Sequence, residues 1–221
     1  MRTNEVLRVV ASTVGITLLL GVTGCSAPTG GTVGGGGSGT VVVSTVGIRV
    51  ETLSSASQEF EYFAEDADEL VAALSRVFGA KPMIVPYEGS SHSTPGSVLD
   101  WGGLAIEIHE GEIKQAIGYP RFTAVVTRAA VRGVPIQTAD GVAVGEEAAE
   151  VAAVADSSQE MSVAVGWDAD GTQYSLDEIA IEGDPGATYP GPDARYRTMI
   201  IMLDGQATVT RFTAPEPNFS P

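Results

Sequence analysis

Cysteine occurs once in the 221 residues, and lysine and histidine twice each. A single thiol excludes an intramolecular disulfide. Two histidines and one cysteine are too few nitrogen and sulfur donors for a zinc site built on them alone. Positive charge is scarce too: 12 basic residues stand against 28 acidic ones, a formal charge of −16. Such a polyanion repels phosphate backbones and anionic headgroups, so nucleic acid is excluded as an expected partner. No G-x-S-x-G elbow and no glycine-rich phosphate loop after a strand occurs. What is present is 43% apolar residues, enough to bury a core.

The lone cysteine has an informative position. Arg2 and Arg8 flank a short basic start, and Val9–Val22 (VVASTVGITLLLGV) is an uncharged run of 14 residues. That suits the apolar region of a signal peptide and falls short of the ~20 residues of a spanning helix. Val22-Thr23-Gly24-Cys25 follows directly and resembles the lipobox of bacterial lipoproteins. The resemblance implies cleavage between Gly24 and Cys25 and a diacylglycerol on the Cys25 sulfur. It makes residues 1–24 a signal peptide and places the mature protein on the extracytoplasmic face of the cell membrane. Ser26–Gly39 has glycine at seven of 14 positions and no charge, so residues 25–39 read as lipidated cysteine plus flexible tether.

Residues 40–214 read as the folded domain, and 215–221 as a proline-bearing tail. Val41–Thr52 alternates β-branched residues as an opening strand, which Phe60 and Tyr62 could extend. The best helix is Asp66–Phe78: Leu70, Val71, Leu74, Val77 and Phe78 make one apolar stripe, Asp66 with Glu69 reads as a capping box, and Gly79 stops it. A second helix is expected over Glu146–Ala155 with Val151 and Val154 inward. Strands are expected at Leu104–His109, turning at Glu110-Gly111 into Ile113–Ile117, at Phe122–Arg128 and around Ile179 and Ile181. A hairpin is expected from Tyr196–Leu203 through Asp204-Gly205 into Ala207–Phe212. The order predicts an α+β domain with two helices packed on antiparallel sheet. A shift of 80 residues lays Val71–Leu74 on Val151–Val154, which leaves open a tandem duplication over about 55–130 and 135–214.

Gly141-Val142-Ala143-Val144-Gly145-Glu146-Glu147 with Glu150-Val151 resembles the helix start of small helix-plus-sheet lipoproteins. Phe78-Gly79-Ala80-Lys81-Pro82 resembles the helix exit of the same group, which includes outer-membrane-assembly lipoproteins and the tandem-repeat β-lactamase inhibitor proteins. Start and exit sit on different helices here, so neither repeat is complete. Asp100-Trp101-Gly102-Gly103-Leu104 resembles a segment of uncharacterised actinobacterial lipoproteins. These resemblances carry no catalytic residue and imply a binding or scaffolding protein.

Few residues invite chemistry. His92 lies among serines in a polar loop, where solvation is the expected state, and adjacency to serine is not triad geometry. His109 falls on the polar face of its strand. Asp168-Ala169-Asp170-Gly171 departs from a calcium loop in its glycine and glutamate positions, so a turn at Asp170-Gly171 is expected instead. Trp101 and Trp167 are core anchors if buried; exposed, they would join Tyr87 and Tyr189 as a binding surface for a protein or a glycan. No metal, cofactor or catalytic residue is expected. The sequence reading is therefore a non-enzymatic, lipid-anchored binding protein of the cell envelope. The alternatives are a solute-binding lipoprotein of a transport system and, last, an envelope hydrolase.

Overall fold

The computed structural model describes residues 38–53, 55–64, 66–89, 94–110, 119–154, 161–164, 170–182, 193–203 and 207–217. The signal segment, Cys25, most of the tether, His92, Ile113–Ile117, Trp167 and Tyr189 lie outside these. In chain order the elements are β1 (Gly39–Val43), β2 (Gly47–Thr52), β3 (Ser55–Glu61), α1 (Ala67–Phe78), β4 (Met83–Tyr87), β5 (Gly96–Asp100), β6 (Leu104–His109) and β7 (Phe122–Val126). They continue with β8 (Ala130–Val131), β9 (Val134–Thr138), α2 (Ala148–Val154), β10 (Met161–Ala164), β11 (Asp170–Glu182), β12 (Asp193–Leu203) and β13 (Arg211–Pro217). The fold is α+β and mostly strand.

Two sheets form. One has five strands in the order β3-β2-β1-β9-β8, mixed because β1 and β9 run parallel. The other is antiparallel, eight strands in the order β10-β11-β12-β13-β7-β6-β5-β4. Helix α1 precedes the consecutive strands β4 to β7, and α2 precedes β10 to β13. The last strands of these two runs, β7 and β13, pair with each other through Phe212↔Val126, Thr213↔Val125 and Ala214↔Ala124.

The core lies between the inner faces of the two sheets and α1. Val41, Val43, Ile48 and Val50 come from the smaller sheet, Leu70, Leu74, Val77 and Phe78 from α1, and Leu104, Ile106, Phe122, Ala124, Val126 and Phe212 from the larger. Each fully buried large apolar side chain contributes about 1.5–3 kcal/mol against exposure. A buried hydroxyl pair, Thr45 Oγ1 and Thr198 Oγ1 at 2.9 Å, adds a polar tie between a loop of the smaller sheet and β12.

Helix α1 keeps its expected stripe and its exit. Gly79 sits in the left-handed region at φ 63°, its N–H donates to Arg76 O, and Ala80 N–H donates to Ser75 O, which closes a Schellman turn. The expected capping box is absent: Asp66 makes no side-chain cap, and its Oδ1 lies 3.4 Å from Arg121 Nη1. The expected single opening strand is in fact a hairpin. Ser44 N–H and hydroxyl both donate to Gly47 O, and a Cβ on Gly47 would strike the Phe60 carbonyl of β3. A glycine chosen for close approach, not for the turn alone, thus sets where β2 begins.

Other boundaries differ from expectation. Helix α2 is two turns long and buries only Val151; Val154 is exposed. Asp170 and Gly171 are not a turn but the first residues of β11, paired with Ala164 and Val163. The last hairpin exists, but its second arm starts at Arg211. Residues 207–209 instead dock on the start of α2 through Ala148 N–H to Ala207 O (2.8 Å) and Val209 N–H to Glu146 O (2.9 Å). Pro215, Glu216 and Pro217, expected in the tail, belong to β13. Among the described residues no helix is long and apolar enough to cross a membrane.

Candidate functional site

The face of the larger sheet turned away from the core carries the chemistry. Strand side chains alternate between faces. Because Leu104 and Ile106 point inward, Glu107 and His109 of β6 point outward. By the same alternation Phe122, Ala124 and Val126 commit Thr123 and Val125 to the outer face. Strand β13 adds two residues through an irregularity. Arg197 pairs with Glu216 but Met199 pairs with Thr213, so two residues of β13, Ala214 and Pro215, stand opposite one of β12, Thr198. The extra residue turns Glu216 to the same side as Thr213. Together with Tyr119 and Pro215 these side chains line a hollow of about 200 Å³.

Tyr87 of β4 reaches in across a missing side chain. Tyr87, Gly96 and His109 lie in one row over β4, β5 and β6. A Cβ at Gly96 would come within 2.5 Å of Tyr87 Oη and 2.7 Å of its Cζ, so glycine is what lets the phenol lie across β5. Tyr87 Oη–H donates to Glu107 Oε1 at 2.8 Å, and His109 Nδ1 stands 3.4 Å from the same oxygen. With the phenol proton given to Glu107, His109 joins this contact as a donor from Nδ1, a long and weak bond. Its ring meets the Tyr119 ring edge-on, centroids 5.4 Å apart.

Electrostatics follow from partial burial. Burial pushes the Tyr87 hydroxyl far up, and the hydrogen bond to Glu107 pushes the same way, so it stays a donor. Burial also raises Tyr119, with Glu107 adding to it. The Glu216 carboxyl is raised by burial, pulled down by Arg197 and Arg211 and pushed up again by Glu107. Burial lowers His109, and Glu107 opposes this. His109 is therefore neutral at pH 7. As its folded value lies below its unfolded one, its linked stability is present above pH 6.5 and declines as pH falls below it. NMR titration should give His109 a midpoint under 6.5, and Glu107→Gln should move it lower still by removing the opposing charge. A midpoint at or above 6.5 would contradict the buried setting.

A second depression, about 370 Å³, lies beside α2 and is lined by Asp140, Glu146, Glu150 and Val154, with no aromatic side chain. Among the described residues no three His, Cys, Asp or Glu side chains gather to hold a metal ion. The chemistry on offer is acceptance of hydrogen bonds and attraction of positive charge. Tyr87 is held protonated, which makes it a poor nucleophile.

Searches of known protein families, of curated proteins and of solved structures find no match to this chain. The site therefore stands on its own geometry.

Of the residues singled out in the sequence, His109 lines the hollow, and Tyr87 lies beside it, bonded to Glu107 without lining it. Trp101 does not belong to a surface. It is 8% exposed, its ring lies tilted against that of Phe78 with centroids 5.9 Å apart, and its Nε1–H donates to Ala80 O at 3.0 Å. This is a core anchor that ties the exit of α1 to β5. Trp167, Tyr189, Cys25 and Gly24 lie outside the described residues. Sequence reasoning missed Glu107, Tyr119 and Glu216. Glu107 was visible as the polar partner of His109 on an alternating strand; nothing in the local sequence announced the bulge that turns Glu216.

Proposed function

We propose that the chain is a membrane-tethered, extracytoplasmic lipoprotein whose domain is a non-enzymatic binding module, engaging a cell-envelope protein or glycan through the outer face of its larger sheet. The observation that carries this reading is the open hollow with a bare apolar edge beside it. Met83 and Val85 share the outer face with Tyr87 and are 62% and 47% exposed. Exposed apolar side chains around a few placed polar groups are typical of a recognition surface. The size of the hollow weighs against a carrier of whole solutes, since ligand pockets commonly measure about 300–1,000 Å³. About 200 Å³ suits one group projecting from a larger molecule.

Cysteine labelling tests the reading. With Cys25 lipidated, Val85→Cys and Leu53→Cys each supply one free thiol, on the outer face and at an exposed site elsewhere. In native membranes Val85→Cys should react with a maleimide at least about tenfold more slowly than in the purified protein, while Leu53→Cys reacts equally in both. Equal rates at Val85→Cys in the two preparations would remove the reading.

A further inference from the structure

The hollow has a chemical bias that the binding reading does not use. Its wall holds two carboxylates, Glu107 and Glu216, and the rings of Tyr119 and His109, and among the described residues no Lys or Arg side chain lines it. Glu107 takes one hydrogen bond from Tyr87 and keeps further acceptor sites. Among the described residues no donor reaches the partly buried carboxylate of Glu216. Arg197 and Arg211 act on it only through their charge, from β12 and β13, and neither lines the hollow. Glu216 is partly exposed and lines the hollow, so its oxygens remain open to a donor that enters there. A donor group that fits roughly seven water volumes can reach it, and with a second carboxylate on the same wall a cationic donor gains most. An aromatic face at the same place favours a cation further, and a chain of charge −16 draws one in.

We propose that this hollow is a socket for a single organic cation, the ammonium or guanidinium head of a lysine or arginine side chain on a partner protein. The proposal rests on the binding reading above and gives its ligand chemistry. The head sits between Glu107 and Glu216 against the Tyr119 ring, and the exposed Met83 and Val85 cover the apolar residues that flank it. A polypeptide source fits because the apolar edge continues beyond the hollow on the same face, where a free amine would leave it bare.

The test uses the full lipoprotein in neutral detergent at fixed ionic strength, read by the His109 ring signals in NMR. Butylammonium and butylguanidinium should shift them saturably, whereas butyrate and pentanol should not. A short peptide with one lysine between valines should bind at least about tenfold tighter than butylammonium, and its acetyl-lysine form should lose that binding. Glu107→Gln and Glu216→Gln should each weaken the peptide about tenfold, the worth of one charge-assisted hydrogen bond; unchanged thermal midpoints would show that both variants fold. Absence of saturation by the cations, or equal shifts with pentanol, overturns the socket without needing any variant. A peptide no tighter than butylammonium overturns the polypeptide source and points to a free amine. Membrane protection at Val85→Cys with no cation response would sink this proposal and spare the binding reading; a cation response without protection would do the reverse.

Discussion

Phe122→Ala should cost the fold about 3–5 kcal/mol, the range for removing a buried aromatic side chain and leaving its cavity. Phe122 is fully buried on β7, and its ring stands 5.1 Å from that of Tyr62, which is also fully buried. Among the described residues the Tyr62 hydroxyl finds no hydrogen-bond partner, and a water admitted beside it would recover only part of the loss. The neighbours cannot close in easily either. Arg121 N–H is bonded to Tyr62 O at 2.8 Å, and β7 is held between β6 and β13. Against a total stability of about 5–15 kcal/mol this loss takes a large share of the folded population. The urea midpoint should fall steeply with little change in slope, while Val85→Ala on the exposed edge should stay within about 0.5 kcal/mol of the parent. A loss under 1 kcal/mol for Phe122→Ala would mean the core is not packed around β7 as described.

Cys25→Ala should abolish membrane retention, an all-or-none change in where the protein is found. A thioether-linked diacylglycerol supplies two acyl chains, each CH₂ buried in the bilayer being worth about 0.8 kcal/mol. A single chain holds a protein only marginally and two hold it stably. The anionic domain adds no attraction of its own to an anionic surface, so on the proposed reading the lipid carries the whole attachment. Intact-mass spectrometry of the membrane-extracted protein should show a chain beginning at Cys25 with added acyl mass. The variant should lack that mass and leave the membrane fraction or remain uncleaved. An unlipidated parent cut elsewhere would overturn the anchor and leave a free thiol without a role.

The fold class was legible because periodicity reports which face is buried. The stripe from Leu70 to Phe78 and the alternation of Leu104, Ile106 and Ile108 each follow from one neighbour, the core. Features that depend on two partners were not legible. Asp66 makes no side-chain cap, and its Oδ1 lies 3.4 Å from Arg121 Nη1, 55 residues away. The β1–β2 turn depends on the approach of Phe60 from β3. The hollow was half legible. Tyr87 and His109 drew notice as single residues, but their meeting requires β4 and β6 to flank a glycine at Gly96, and Glu216 joins only through a shift in strand pairing. Side-chain chemistry is written in the sequence; adjacency across five strands is not.

The position of β13 has a consequence for how the chain can be cut and how it must mature. Among the described strands β13 is last in chain order, yet it lies inside the larger sheet, between β12 and β7. Trimming a chain end usually frays a margin. Stopping this chain at residue 210 would instead open a gap in the middle and leave two fragments, each with a raw hydrogen-bonding edge of the kind that recruits other chains into aggregates. Until Arg211–Pro217 is in place β7 has the same exposed edge, and three residue pairs close it. Among the described strands β13 is therefore one whose loss opens two edges at once, on β12 and on β7.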